Sequence, residues 1–568
     1  MILEKAKRNY LPKDLNIDWA TLEPIFQELS KRAINSVTEL EKWLKDKSEI
    51  EAALEEDFAW RYIKMSCDTA NEDLVQSFQY FAMEIEPKIA PIGNDLNKKL
   101  IDSPFVKDLD QEKYFIYLRG VKKALELFRE KNIPLQTELQ VEQQKYQGIT
   151  GAMSVTLNGQ EYTLEQASNF LKDLNRDTRK EAWESITARR LEDKEKLDGL
   201  FNKLKTLRHQ VAQNADFDNF RDYMFAALGR FDYTPQDCFD FHDAIEKEVV
   251  PLISAQAEER RNLLGLETLK PWDTEVDSSG KAPLIPFNSG AELIEKSIKC
   301  FNKLDGFLGS RLEIMRDNNL FDVESRKGKA PGGYNYPLSE TGAPFIFMNS
   351  ANSFRDLTTM VHEGGHAVHT FLTANLELND FKHCPSEVAE LASMSMELIS
   401  MDHWDEFFSN EEDLKRAKRY QLRDVLKTLP WVAVVDSFQH WIYTNPEHTS
   451  EERTAEFATI FNRFGANFVD WSEHQEALEN LWQKQLHIFE VPFYYIEYAI
   501  AQLGAIAVWK NYKENPQKGL ENYIAALKLG YTKDMKTIYE TAGIKFDFSA
   551  AYIKELMDFV RVELEKLD

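Results

Sequence analysis

The sequence predicts a mainly α-helical fold. Long stretches repeat apolar residues at intervals of three and four with charged residues between them, as in Asp18 to Lys45, Glu112 to Lys131, Leu164 to Lys196 and Ser549 to Lys566. That is the period of helices that bury one face. Only one clear β signal interrupts the pattern, and at 568 residues with 43% hydrophobic content the chain can build more than one domain-sized core.

The β signal lies at Met153–Leu157 and Gln160–Leu164, two alternating runs around Asn158-Gly159. Asn-Gly between such runs predicts a hairpin with a type I′ turn. We take it as the domain marker: residues 1–165 form an N-terminal helical domain ending in the hairpin, and 166–568 a second, larger domain. A loop with proline, glycine and serine spans Lys270 to Pro286, and Lys329-Ala330-Pro331-Gly332-Gly333-Tyr334 reads as a flexible loop. Pro344 to Asn349 has the apolar, aromatic character of a short strand, either simply buried or free to pair with an extended peptide. The sequence contains no repeat and no low-complexity tract.

The net charge is −26 and the isoelectric point near 5.0. Such a surface repels nucleic acid and anionic membranes, so neither is expected as a partner. Cys67, Cys238, Cys300 and Cys384 are far apart and follow no Cys-x-x-Cys pattern, which predicts reduced thiols. The first residues lack the apolar core of a signal peptide, and no run of about 18 apolar residues occurs, so a cytoplasmic location is expected. Oligomeric state is left open.

The chemistry concentrates at His362-Glu363-Gly364-Gly365-His366. Asn352 or Ser353 offers an N-cap, and Leu357, Met360, Val361, Val368, Phe371 and Leu372 an apolar stripe, so the pentad sits inside a helix. Residues four apart then share a face, and two imidazoles can hold one Zn²⁺ while Glu363 takes a proton from the water it activates. Each glycine costs a helix interior about 1 kcal/mol, so the pair is expected to admit a close neighbour, another backbone or a substrate.

A catalytic zinc needs a third protein donor. A further histidine six residues on is excluded, because position 372 is Leu and 369 is His. Downstream, Pro385 and a capping Ser386 open a helix on which Glu387, Glu390 and Glu397 share a face. Spacing alone fits a solvated face as well as a metal ligand. Met394 among these acids signals partial burial, which favours a cation there. Glu390 is the expected ligand, Glu397 an acid behind a ligand histidine, and Glu387 a solvent-side residue; His369 and His383 are expected behind the ligands or at the surface. Further on, His487, Tyr494, Tyr495 and Tyr498 crowd into twelve residues. By composition they read as an aromatic stripe in a helical core.

His-Glu-Gly-Gly-His-Ala-Val-His followed by Ser-Glu-Val-Ala-Glu-Leu-Ala-Ser-Met-Ser-Met-Glu resembles the zinc site of the thimet oligopeptidase and oligoendopeptidase F family of metallopeptidases, oligoendopeptidase F above all. The resemblance implies that Glu390 is the third ligand, and that a two-lobed helical fold encloses a deep channel with zinc at its floor, admitting short peptides. It implies that His487, Tyr494 and Tyr498 bind the scissile carbonyl and the tetrahedral intermediate. Tyr495 and Ile496 depart from the commoner pattern, which leaves the division of labour among the tyrosines open. The family places a glycine-rich loop and an edge strand beside the zinc, so Gly332, Gly333, Tyr334, Phe345 and Phe347 are expected to bind peptide. The resemblance runs in outline from the hairpin to Phe559, with its specific motifs in Pro331 to Asn349, His362 to Glu397 and His487 to Tyr498.

The activity so implied is that of a zinc-dependent oligoendopeptidase with one zinc per chain. A helical zinc carboxypeptidase of the carboxypeptidase Taq or angiotensin-converting-enzyme type would carry His-Glu-Ser or His-Glu-Ala on its third-ligand helix, whereas Ala389 precedes Glu390 here. A non-catalytic binding module with a structural zinc would have no use for Glu363 and would close the fourth position with a protein donor.

Overall fold

Polar caps cut the long amphipathic runs into separate helices. In the computed structural model, which describes residues 3, 5–326, 328–330, 332–350, 352–465 and 468–567, the run from Asp18 to Lys45 becomes Trp19–Lys31 and Val37–Cys67. Asp18 and Ser36 each turn a side-chain oxygen onto a free backbone N–H, of Thr21 and of Glu39. Likewise Asn175 opens Arg176–Glu192 inside the stretch expected to be continuous from Leu164 to Lys196, and the run from Glu112 stops at Leu127 before a new helix, Ile133–Gly151, starts with proline in its first turn. Ser549 caps Ala550–Glu565.

The hairpin forms as expected: β1 (Ser154–Leu157) pairs antiparallel with β2 (Gln160–Thr163), Leu157 opposite Gln160. Asn158 and Gly159 adopt φ of 52° and 78°, the left-handed pair a type I′ turn requires. Met153 and Leu164 fall outside the strands, because Thr163 already caps the next helix in a capping box with Gln166.

A second sheet holds β3 (Phe321–Glu324), β4 (Tyr334–Leu338) and β5 (Ala343–Ser350) in the order β3-β5-β4. β5 runs parallel to β3 and antiparallel to β4. Its nearly unbroken apolar sequence fits a strand buried on both faces. Glu56, fully buried on the Val37–Cys67 helix, accepts hydrogen bonds from the backbone N–H groups of Glu340 and Thr341 and the Thr341 hydroxyl, so it pins that helix to the β4–β5 turn.

The main core runs through the helices Phe354–Thr373, Ser386–Ile399 and Tyr495–Glu514. A second cluster joins the first helices, from Leu11 to Val121, to Leu378 and Phe381 beyond the motif helix, and Val155, Leu157, Ala167 and Ala182 form a small core under the hairpin. The four cysteines are free thiols. Among the described residues no helix is long and apolar enough to cross a membrane.

Candidate metal centre

Ser353 caps the Phe354–Thr373 helix in a reciprocal box with Asp356. Nine residues on, one helical face carries His362 and His366, their rings 4.9 Å apart and nearly perpendicular. The intervening glycines admit neighbours. A Cβ on Gly364 would stand 2.6 Å from the Phe301 ring, and one on Gly365 would stand 2.6 Å from the Ser393 Cα and 2.7 Å from the Ala392 carbonyl oxygen. Of the two occupants considered from sequence, Gly365 therefore serves another backbone, that of the Ser386–Ile399 helix.

That close approach delivers Glu390. Its Oε2 lies 3.3 Å from His362 Nε2 and 3.8 Å from His366 Nε2, and donor atoms of the three residues all fall within 4.8 Å of one another. Two imidazoles and one carboxylate fit a catalytic metal with a position left for water. Glu397 stands behind His362, with Oε1 2.7 Å from Nδ1, while its Oε2 accepts from Gln421 Nε2 at 2.6 Å. Nδ1 so engaged leaves Nε2 turned to Glu390.

The electrostatics differ from one residue to the next. Burial would lower the His362 pKa, but Glu390 and Glu397 outweigh it and raise it well above the usual histidine value. Burial pushes His366 down to about 4, so the ring stays neutral and one nitrogen keeps a lone pair for a metal. Glu363, only 7% exposed, is pushed up to about 7 by burial; His362 opposes this and the Glu390 and Glu397 charges add to it. A carboxyl poised near neutrality suits proton transfer in both directions. His369 is buried with Nε2 3.5 Å from Cys384 Sγ, while the half-exposed His383 pairs with Glu55 at 3.0 Å.

The distant tyrosines reach the same place. Arg230 donates to the Phe493 carbonyl and to Glu497 Oε1, and Phe493 N–H donates to Gln439 Oε1, fixing a corner at which Phe493 takes a φ of 66°. The corner aims Tyr494, whose hydroxyl donates to Glu390 Oε1 at 3.0 Å. Tyr498 packs 5.2 Å from the Tyr494 ring and 5.9 Å from His487. The Tyr495 ring packs 4.9 Å from His487, and its hydroxyl donates to Gln485 Oε1. Because Trp431 Nε1–H and the Tyr495 hydroxyl both donate to Gln485 Oε1, the Gln485 amide presents its N–H to His487 Nδ1 at 2.7 Å. His487 then carries its proton on Nε2, and burial, pushing its pKa down to about 4, keeps the ring neutral.

Three expectations need correction. Ser386 is the first residue of its helix, and the cap position falls to Pro385. Glu387 is not on the solvent side: it is 2% exposed and accepts from the Tyr233 hydroxyl at 2.7 Å. Phe345 and Phe347 cannot bind peptide, because they are buried in β5, the central strand, whose two edges are already paired to β3 and β4. The outer edge belongs to β4, which starts at Tyr334. Tyr334 stacks on Phe347 at 4.7 Å and donates to Ser66 Oγ, so it is locked into the sheet. Gly332 and Gly333 are exposed beside it, Gly332 with a φ of 94°. Pro331 lies outside the described residues. Asn335 of β4 donates to the backbone carbonyl of Glu363 at 3.3 Å, joining this edge to the motif helix.

Comparison with known proteins agrees along nearly the whole chain. The model of peptidase family M3 matches residues 169–558, and that of the peptidase M3 N-terminal domain matches 15–128. The chain belongs to peptidase family M3. A similar protein is an oligoendopeptidase F homolog of Borreliella burgdorferi, 25% identical over 395 residues, covering 65% of this chain and 64% of the relative. Another is the oligopeptidase PepF of Bacillus subtilis, 23% identical over 393 residues, covering 66% and 55%. The match therefore spans somewhat under two thirds of these relatives' length. A solved structure of PZ peptidase A with an inhibitor superposes with a TM-score of 0.89 at 27% identity, covering 97% of each chain. The mainly helical fold is thus that of oligoendopeptidase-like structures.

Sequence reasoning missed Gln421, Asn335, Gln485 and Arg230. Gln421 and Arg230 carry no local signal, since each reaches the site from an element far away in the chain. Gln485, two residues before His487, stood within reach of inspection as a side chain able to fix the imidazole tautomer.

Proposed function

We propose that this chain is a zinc-dependent oligoendopeptidase that hydrolyses internal amide bonds of short peptides. The observation that carries the reading is the convergence of His362, His366 and Glu390 within 4.8 Å beside the buried carboxyl of Glu363. His362, His366 and Glu390 would hold zinc, which when bound would supply Lewis acidity toward the scissile carbonyl and acidify the attacking water.

The protein's own groups do the rest. A peptide lies extended along the outer edge of β4, a reading supported by the place of β4 at the end of the order β3-β5-β4, paired within the sheet to β5 alone. Glu363 takes the proton of the attacking water and passes it to the leaving amine, which its raised pKa favours. His487, through Nε2–H, and Tyr498 donate to the oxyanion as charge grows on it, with Tyr494 as alternate. Burial pushes the Tyr494 and Tyr498 hydroxyls well up, with the Glu390 charge adding to it, so both stay protonated donors. Tyr494 also holds Glu390 in place.

The test incubates purified protein with a mixed peptide library, with and without a metal chelator, and reads the cuts by mass spectrometry. Internal cuts that the chelator abolishes are expected. Loss of single C-terminal residues would make it a carboxypeptidase, and intact peptides would leave a binding module.

A further inference from the structure

Away from this centre, the helices Pro235–Glu248 and Glu411–Thr444 pack together, and each presents two metal-ligating side chains four residues apart. The first carries Cys238 and His242, the second Asp436 and His440. All four are buried, at 2%, 2%, 0% and 3% exposure. Cys238 Sγ, a carboxylate oxygen of Asp436 and a ring nitrogen of His440 lie within 4.8 Å of one another. His242 stands behind the carboxylate, with Nε2 2.9 Å from Asp436 Oδ2 and Nδ1 3.0 Å from Ser437 Oγ.

An ordinary buried Asp–His pair would align an N–H on the carboxylate. Here His440 Nε2 makes only a long 3.3 Å contact with Asp436 Oδ2, and His440 Nδ1 and Asp436 Oδ1 have no hydrogen-bond partner. Leaving buried polar atoms unsatisfied is costly, and more so when they are charged. A thiol, a carboxylate and an imidazole that converge in a buried site with polar atoms left over are placed like ligands of a shared ion.

We propose that Cys238, Asp436 and His440 bind a second divalent transition metal, zinc by donor type, with His242 orienting the carboxylate. Thiolate and carboxylate together offset the charge of the ion, which leaves a neutral cluster in a dry core. When the sulfur–metal bond forms, the thiol proton leaves to solvent. A site this enclosed is filled during folding and carries a structural ion. The inference is independent of the peptidase reading, because the ion sits on other residues and no reaction step needs it.

The experiment expresses the full chain in cobalt-supplemented medium and measures bound cobalt together with the near-ultraviolet thiolate-to-cobalt charge-transfer band. The centre at His362, His366 and Glu390 has no thiolate and gives no such band. The expected result is a second equivalent of cobalt with the band in the wild type, loss of both in Cys238→Ser, and retention of both in Cys384→Ser, the control for the thiol beside His369. A wild type with a single equivalent and no band overturns the proposal even if Cys238→Ser fails to fold. A band that survives Cys238→Ser in a folded protein overturns it as well.

Discussion

Glu397→Ala isolates the residue that aims the first imidazole. The substitution removes the 2.7 Å contact on His362 Nδ1 and the 2.6 Å contact with Gln421, while His362, His366 and Glu390 stay in the chain. A hydrogen bond to a charged group contributes about 1.5–3 kcal/mol. At about 1.4 kcal/mol per tenfold change, freeing the His362 ring should weaken zinc binding by roughly one to two decades, the range found when partners behind metal ligands are removed. Gln421→Ala loses only the outer contact and should cost less. Glu397→Gln keeps an amide oxygen for Nδ1–H and should fall between. The assay is zinc competition against a chromophoric chelator, with circular dichroism to verify the fold. A folded Glu397→Ala protein with wild-type zinc affinity would refute the view that this carboxylate orients the ligand.

Glu363→Gln should retain zinc and lower kcat by about 10²- to 10⁴-fold; a wild-type rate removes it as the base. Tyr498→Phe should lower kcat by about 10²- to 10³-fold with KM and zinc content little changed, because an oxyanion donor acts mainly in the transition state. If KM rises while kcat holds, Tyr498 positions substrate instead. Gly365→Ala, whose Cβ would meet the Ser393 Cα at 2.6 Å, should cost about 1–3 kcal/mol in urea unfolding and weaken zinc binding. Gly148→Ala, exposed and with nothing within 4 Å, should instead stabilise by up to about 1 kcal/mol. Equal effects at the two glycines would contradict the packing argument.

Sequence carried the helical class, the hairpin and the motif helix because each rests on local chemistry: a 3.6-residue apolar period, Asn-Gly in a turn, a serine cap before an apolar stripe. Helix ends were less visible, since a continuous period hides a break such as Arg32 to Ser36, where Ser36 caps a new helix without disturbing the apolar rhythm. The sheet near the site was legible only as β5. β3 and β4 are short, and Tyr334 reads as loop beside its glycines; what makes β4 a strand is pairing with β5, a contact the local sequence does not announce. The same gap moved the expected peptide-binding edge from β4 to β5, since alternation and apolarity report a strand but not its neighbours.

The three glutamates of the Ser386–Ile399 helix show where periodicity stops being informative. Their spacing places Glu387, Glu390 and Glu397 on one face, and they do lie near one another in projection, but the helix is buried nearly all round and each acid meets a different set of partners. Glu387 meets Tyr233 from the segment before the Pro235–Glu248 helix, Glu390 meets both histidines and Tyr494, and Glu397 meets His362 and Gln421. A helical period fixes direction about an axis to within a fraction of a turn. It says nothing of depth, and depth decides whether a carboxylate is solvated, held by a hydroxyl or free to take a cation. Met394 among the acids favours a cation on this face and the resemblance to a known run of residues points to Glu390, but the physical difference between Glu390 and Glu387 lies in Tyr233 and Tyr494, whose approach the tertiary fold alone determines.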